Sequence, residues 1–550
     1  MADGMTGADI IVKVLEGSGT DVVFGIPGGT VIPLYDSLYG SSLRHVLARH
    51  EQGACFEAAG YARASGKVGV CLATSGPGAL NTLTALADSY ADSVSLVVIT
   101  GQVGANLRGT DAFQEADLFG SSLSMVKHSF SVESADDLEA VMGSAFTIAS
   151  SGRPGPVLVD VPVSVQRQVA EDPRRGGVPL RTGDVVSNSR EILSILPYLR
   201  KALKPVILAG GGVIASDASE ELSKLARACS IPVATSLMGK GGFPEGDPLS
   251  LGMAGMHGTE RANRALSDAD LIVSLGCRFS DRTTAKASGF GKGAAIVQVD
   301  IDAAEVGKII PVDLGVVSDI RQALEALNRS GELTSLGRDR GIPRGTFEED
   351  HGFSPKAIME TIRDRLRADD VITTEVGQHQ MWAALHWRSD LPRTFITSGG
   401  QGTMGFGLPA AIGASMARPG RPVVCLAGDG SFLMNSQEME TAVRYGLPVK
   451  VVVFNNRSLG MVRQWQELFW NRRYSATVEA PSCDFAALAR AYGAEGINVS
   501  SMKELESAID DFLSSPGPSL MECPIEQEEK VFPMVPAGAD LGDFIVEPPK

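Results

Sequence analysis

The chain has 550 residues, too many for a single hydrophobic core, and a prior of ~150 residues per domain gives three or four units. An apolar share of 44% with 21% charged residues excludes a disordered or fibrous chain. The formal charge of −16 excludes the basic face that nucleic acid or an anionic membrane surface requires, so anionic ligands must be drawn by local groups.

No apolar stretch approaches the ~18 residues that cross a bilayer. The start, Met1-Ala2-Asp3-Gly4, has neither the basic opening nor the apolar core of a secretion signal, which makes the cytoplasm the expected location. The seven cysteines show no C-x-x-C spacing and several fall inside apolar strands, as buried thiols of a reducing compartment do.

Along the chain, apolar strands at Val22 to Phe24, Arg44 to Leu47, Val68 to Ala73, Leu96 to Thr100 and Val157 to Val161 alternate with helical patterns. This predicts a doubly wound parallel α/β domain over residues 1–165. Two glycine-rich turns interrupt it, Gly25-Ile26-Pro27-Gly28-Gly29 and Thr74-Ser75-Gly76-Pro77-Gly78-Ala79-Leu80-Asn81, each between a strand and a helix. Between them Glu51 opens a predicted helix that runs to Ala64.

Residues 164–188 carry charges, glycines and prolines without periodicity and read as a linker. A second α/β run over 190–328 has strands at Pro205 to Ala209, Ile231 to Thr235, Leu271 to Leu275 and Ile296 to Val299. A second linker over 329–353 leads to a third α/β domain, 354–550, ending in an irregular tail beyond Cys523. The first and third domains echo each other in pairing a glycine turn and helix with a following strand, so two related folds are expected to flank a different middle one.

The strongest chemical signal lies in the third domain. A strand, Val423 to Ala427, ends in Gly428-Asp429-Gly430-Ser431; a predicted helix, Phe432 to Tyr445, and a strand, Val449 to Phe454, then lead to Asn455-Asn456. Glycines let backbone approach a phosphate, and the N–H groups of a helix start attract its charge. Asp429 and Asn456, each ending a parallel strand, supply the one or two oxygens that Mg²⁺ takes beside substrate phosphates. A tight turn plus an unrelated Asn-Asn turn is the plain structural alternative.

This unit resembles the thiamine diphosphate motif, GDG followed about thirty residues on by NN. The resemblance implies that Asp429, Asn456 and the carbonyl of Ser458 ligate Mg²⁺. It also implies that Glu51 hydrogen-bonds the aminopyrimidine ring of the cofactor and acts as acid/base through it, although an isolated glutamate is most often a solvated surface group. Gly28, Pro77 and Asn81 lie in turns matching cofactor contacts. Gly377, Gln378 and His379 match diphosphate contacts, with Gly402, Gly428, Gly430, Ser431, Gly460 and Met461 around them.

Over nearly its whole length the chain is similar to the catalytic (large) subunits of acetohydroxyacid synthase, or acetolactate synthase. Strings that carry the similarity include Arg49 to Ala54 (RHEQGA), Gly109 to Glu115 (GTDAFQE), Lys127-His128-Ser129-Phe130, Ser151 to Pro162 (SGRPGPVLVDVP), Met404 to Ala411 (MGFGLPAA) and Gly460 to Gln466 (GMVRQWQ). The implied fold is three doubly wound α/β domains, with a Rossmann-like flavin-binding one in the centre. The implied reaction decarboxylates pyruvate on thiamine diphosphate and ligates the hydroxyethyl carbanion to pyruvate or 2-ketobutyrate, on the way to branched-chain amino acids.

The same resemblance assigns Met404 to the bent cofactor conformation, Gln114 and Lys127 to the approach, Arg282 to the carboxylate of the second ketoacid, and Trp465 to the acceptor pocket. The guanidinium fork suits a planar carboxylate. In the middle domain Gly210, Gly211, Gly212, Ser236 and Leu237 match FAD contacts. So do Gly255, Met256, His257 and Gly258, then Gly276 and Arg278, and finally Asp300, Ile301 and Asp319. A homodimer or homotetramer with sites between chains is implied, together with a possible small regulatory subunit.

Two departures bear on acceptor, flavin and inhibitor binding. The usual F-D-D-R reads Phe279-Ser280-Asp281-Arg282, and the usual Q-V-P-R-R reads Gln102-Val103-Gly104-Ala105-Asn106. Three rival readings remain: an NAD dehydrogenase using Gly400-Gln401-Gly402-Thr403-Met404-Gly405 as a dinucleotide fingerprint, a thiamine and flavin oxidoreductase of the pyruvate oxidase type, and a binding protein that keeps the scaffold without chemistry.

Overall fold

The computed structural model describes residues 4–172, 187–331, 352–478 and 483–546. Most of both expected linkers, and the last four residues of the tail, lie outside them. Three six-stranded sheets, parallel throughout, carry the fold, with helices covering both faces of each.

The first sheet is built from β1 (Val22–Gly25), β2 (Arg44–Leu47), β3 (Gly69–Ala73), β4 (Leu96–Gln102), β5 (His128–Ser131) and β6 (Pro156–Pro162), in the order β2-β1-β3-β4-β6-β5. The second contains β7 (Pro205–Ala209), β8 (Val233–Thr235), β9 (Ser250–Met253), β10 (Leu271–Leu275), β11 (Ala295–Asp300) and β12 (Leu314–Val317), in the order β12-β11-β10-β7-β8-β9. The third consists of β13 (Val371–Thr374), β14 (Phe395–Ile396), β15 (Val423–Gly428), β16 (Val449–Asn455), β17 (Glu495–Asn498) and β18 (Ser519–Pro524), in the order β14-β13-β15-β16-β18-β17.

Counted within each unit, the outer sheets share the order 2-1-3-4-6-5, which is the related pair expected from the glycine-turn echo. The middle sheet runs 3-2-1-4-5-6, the nucleotide-binding order, with its switch point between β7 and β10. The central strands are buried on both faces and apolar, as parallel sheets under helices must be.

The first and third units meet along two helices of small residues, Glu51–Ser65 and Gly407–Ala417. A Cβ on Gly60 would fall on the Ala410 carbonyl oxygen, and one on Gly413 on the Glu57 carbonyl oxygen, so backbone touches backbone at the crossing. The first helix is capped by His50, whose Nδ1 accepts from the Gln52 N–H, and stops at Gly66 in the left-handed region. Its position is therefore set at both ends.

One expected element differs. The helix predicted from Phe432 to Tyr445 is a single turn, Asp429–Phe432, and a separate helix, Glu438–Arg444. Asn435 breaks it: its amide donates to the Gly405 carbonyl (2.6 Å) and accepts from Gln437 (2.8 Å), which exchanges helix geometry for a tie to the preceding loop. The tail packs onto the middle unit, where the Val535 N–H donates to the Met256 carbonyl and Val535 and Leu541 join its core. Among the described residues no helix is long and apolar enough to cross a membrane, and all seven cysteines are free.

The helix crossing yields a stability test. Gly413→Ala forces a methyl into the Glu57 carbonyl and should cost about 1–3 kcal/mol by overpacking, read as a lowered urea midpoint. Gly143→Ala, in the helix Leu138–Ser150 with open space around it, should be neutral or stabilising by about 0.5–1 kcal/mol.

Candidate active site

A cavity of about 1160 Å³ opens where the three units meet, walled by the middle and third units and, through Arg63, Asp92 and Arg153, by the first. Its floor is the end of the third sheet. Gly428 pairs with Phe454, so β15 and β16 deliver Asp429 and Asn456 side by side. One Asp429 oxygen accepts from the Gly430 N–H (2.9 Å) and the other from the Ser458 N–H (3.2 Å), drawing the chain after Asn456 back to the carboxylate. Arg457, at φ 56°, makes that reversal.

The Asn456 side-chain amide donates to Gln378 Oε1 (2.9 Å), and the Gln378 side-chain amide donates to Gln464 Oε1 and to the Glu529 backbone carbonyl. Asn456 is thereby oriented with its amide nitrogen already committed. Glycines clear the space: a Cβ on Gly460 would fall on Gln378 Oε1, and one on Gly428 would lie 2.7 Å from His379 Nδ1. Gly377, at φ 152°, occupies a conformation only glycine adopts freely.

His379 is enclosed, its Nε2 meets no hydrogen-bond partner, and burial pushes its pKa down to about 3. It stands neutral at the cavity floor with a ring nitrogen to spare. The oxygen set of one carboxylate, one amide and one backbone carbonyl is what Mg²⁺ accepts when phosphate oxygens complete its shell. No cluster of three or more His, Cys, Asp or Glu suited to a metal occurs among the described residues.

The other wall is the switch point of the middle sheet. A Cβ on Gly210 would fall on the Gly276 carbonyl oxygen, and one on Gly212 would lie 2.7 Å from Gly276 Cα, so two turns touch there. Gly211, Gly212, Ser236, Leu237, Gly276 and Arg278 line the cavity, as do Asp300, Ile301 and Asp319. Ser236 and Asp319 also cap the helical turns that follow them. Gly210, Gly255 and Gly258 stand behind the lining, where each lets another backbone come close.

Arg282 lies over the Trp465 indole at 5.6 Å from the ring centre, and its Nη1 reaches Met256 Sδ at 3.2 Å. The predicted acceptor pair is thus assembled across two units. His257 beside it is held to about 4 by burial and the Arg282 charge. In the departing segment, Ser280 lines the cavity and contacts the Thr283 hydroxyl (3.3 Å) at the start of the helix Asp281–Thr284. Met404, with Gln401 and Gly402, closes the side nearest the first unit.

The first unit's candidates form a separate group. Glu51 accepts from the Asn81 amide (2.9 Å), and a Cβ on Gly78 would lie 3.0 Å from its other oxygen. Gly28 abuts Thr74, and Gln114, at φ 61°, abuts Gly76. None of Gly28, Glu51, Pro77, Asn81, Gln114 and Lys127 lines the cavity. Lys127 donates to the carbonyls of Ile148 and Ser151, capping the helix Leu138–Ser150, and burial lowers its pKa to about 8.

Sequence reasoning missed the carboxylates that hold these turns. Glu375 is fully buried, accepts from the N–H groups of Gly405 (2.7 Å) and Leu408 (3.2 Å), and is pushed up to about 7 by burial against those bonds. Glu438, from the third unit, accepts from the N–H groups of Arg49 (3.1 Å) and His50 (3.0 Å), fixing the turn into Glu51. The only sequence signal was a carboxylate placed directly after an apolar strand or on a helix's inner face.

The fingerprint rival fails on topology. The strand before Gly400–Gly405 is β14, whereas Asp429 ends β15, and β13 lies between them, so Asp429 is not on the neighbouring strand that would hold a ribose.

Comparison with known proteins agrees with this layout. Residues 5–121, 192–327 and 375–523 match the N-terminal TPP binding, central and C-terminal TPP binding domains of thiamine pyrophosphate enzymes. The chain is 44% identical to the acetolactate synthase isozyme 2 large subunit of Escherichia coli (strain K12), over 98% of this chain and 99% of that protein. It is 43% identical to a probable acetolactate synthase large subunit of Methanocaldococcus jannaschii, over 98% and 95%, and 43% identical to that of Parasynechococcus marenigrum, over 98% and 91%.

The placement of Lys127 is testable. Lys127→Met should cost about 1.5–3 kcal/mol of stability for the lost charged hydrogen bonds, seen in urea unfolding. Loss of turnover with an unaltered unfolding midpoint would return this ammonium to the site.

Proposed function

The chain belongs to the acetolactate synthase family of thiamine pyrophosphate enzymes, and on that premise we propose that two copies of it assemble so that the Glu51 face of each completes the cavity of the other. It is an acetolactate synthase catalytic chain of branched-chain amino acid biosynthesis, decarboxylating pyruvate and ligating the two-carbon fragment to a second 2-ketoacid. Pyruvate as acceptor gives 2-acetolactate, and 2-ketobutyrate gives 2-aceto-2-hydroxybutyrate. The observation that carries the assembly is that the metal and diphosphate floor and the Arg282/Trp465 pair share one cavity, from which Glu51 and Asn81 are missing.

Thiamine diphosphate supplies the electron sink for decarboxylation when bound. The chain's residues do the rest. Asp429, Asn456 and the Ser458 carbonyl would hold Mg²⁺, while Gln378, His379 and the glycine-cleared backbone around Gly428 and Gly460 would receive the diphosphate. Glu51, held by Asn81, exchanges a proton with the aminopyrimidine end, work worth ~10²–10⁴-fold in rate. Met404 supports the cofactor from its own chain. Arg282 pairs its fork with the carboxylate of the second ketoacid, and Trp465 beneath it limits what side chain fits.

The touching glycines at the switch point suit FAD in the middle unit, with Asp300 and Asp319 placed for hydroxyls. Since ligation moves no net electrons, the flavin would serve the architecture of the cavity. The relatives are named large subunits, and a small regulatory subunit is the partner such a name implies. Domain limits near 1–165, 190–328 and 354–550 fit these assignments.

Incubation with pyruvate, thiamine diphosphate, Mg²⁺ and FAD should yield a five-carbon acid without an added electron acceptor, and EDTA should abolish it. Acetate or acetaldehyde as sole product would reject ligation in favour of the oxidase type. Glu51→Gln and Asp429→Ala should each be inactive, yet mixed subunits should regain activity, because one composite site then keeps both wild-type groups. Mixtures that stay inactive would place the whole site within one chain.

A further inference from the structure

The turn that carries Met404 is fastened at its far end by a different unit of the fold. Asp92, on the helix Leu83–Ala91 side of the first unit, accepts from the N–H groups of Gly399 (2.9 Å) and Gly400 (2.7 Å). Asp88, one helical turn earlier, accepts from the hydroxyls of Ser398 and Thr403, the latter at 2.8 Å. The Ser398 hydroxyl in turn accepts from the Thr403 N–H (2.8 Å).

Both carboxylates are fully buried and meet one cation. Arg63 Nη2 lies 2.8 Å from Asp92 and 3.9 Å from Asp88, while Nη1 donates to the Thr397 carbonyl (2.8 Å). Placing two acids and an arginine out of water is costly unless geometry and hydrogen bonds repay it. Here the hydrogen bonds to residues 397–403 and the Arg63 ion pair offset that cost, and they order those residues at the cavity edge. Glu375 holds the other end, at Gly405 and Leu408. Met404 stands between the two sets of ties, half-buried and lining the cavity.

We propose that Asp88 is a positioning residue for the ligation reaction: with Asp92 and Arg63 it fixes the Met404 turn from the first unit, through the hydroxyls of Ser398 and Thr403. It touches neither cofactor nor substrate and acts through Met404. The inference rests on the reading of the cavity as the thiamine diphosphate site.

The test uses the full chain and three variants, Asp88→Asn, Thr403→Val and Thr403→Ser. Three quantities are measured: amide hydrogen exchange over residues 397–408 without cofactor, calorimetric affinity for thiamine diphosphate with Mg²⁺, and kcat and KM for pyruvate. Thr403→Val and Asp88→Asn should raise exchange at Gly399, Gly400 and Thr403. A turn displaced by ~1 Å should lower kcat up to ~10²-fold. KM for pyruvate should hold within about threefold, and cofactor affinity should fall by no more than about tenfold, since the Mg²⁺ and diphosphate ties at Asp429 and Asn456 are untouched. Thr403→Ser, which keeps the hydroxyl, should restore both exchange and kcat.

Unchanged exchange in Thr403→Val overturns the clamp, and raised exchange with wild-type kcat overturns its catalytic consequence. Should Asp88→Asn fail to fold, the Thr403 pair decides alone. A parent protein that does not bind thiamine diphosphate sinks the reading of the site and this proposal together, an outcome distinct from a parent that binds and variants that behave like it.

Discussion

The crossing of the helices Glu51–Ser65 and Gly407–Ala417, backbone against backbone at Gly60 and Gly413, is the constraint on which the rest of the structure depends. No side chain intervenes that could repack, so the first and third units have little room to slide. Each helix also starts at a piece of the chemistry. Glu51 opens one, and Met404 lies just before the other. A helix of 15 residues spans about 22 Å, so the crossing keeps Glu51 well away from the far end of its own helix, where Arg63 holds the Met404 turn. Met404 lines the cavity and Glu51 of the same chain does not.

The two outer units hold each other's working parts. Glu438 of the third unit fixes the turn into Glu51, and the acids around Arg63 in the first unit fix the turn that carries Met404. In each case a buried carboxylate collects backbone N–H groups, the charge-assisted form of the hydrogen bond and the one that fixes a turn most sharply. Glu57, fully buried beside Glu438, has its carboxyl pushed well above the usual range by burial and by that neighbour. Apolar packing would stabilise the interface as well, but it would not select one orientation of a loop.

What the sequence made legible follows from where each partner sits. The Gly428–Ser431 turn and Asn456 are read together because one helix and one strand separate them, and glycine at a ligand has a steric reason visible without coordinates. Arg282 and Trp465 are far apart in the chain and were joined only by the family resemblance; the structure then stacks them. Asp88, Glu375 and Glu438 were invisible, because their partners, two hydroxyls for Asp88 and backbone N–H groups for the glutamates, belong to no pattern and lie up to several hundred residues away. The edge strands β5, β9, β12 and β17 were missed because four residues are too few to show an alternation. Phe432–Tyr445 kept helical periodicity on paper, yet Asn435 gains more from the Gly405 carbonyl than from the helix.

The Gly400–Gly405 fingerprint shows how a correct local pattern misleads when its surroundings are unknown. The fingerprint has its strand and its helix, and its glycines do permit close approach, but to Asp92 and Glu375 rather than to a pyrophosphate. Strand adjacency separates the cases. In the middle sheet the glycine turns after β7 and β10 lie on neighbouring strands at the point where the order reverses, so a cleft opens between them; in the third sheet β13 fills the space between β14 and β15, and the same glycines close a wall.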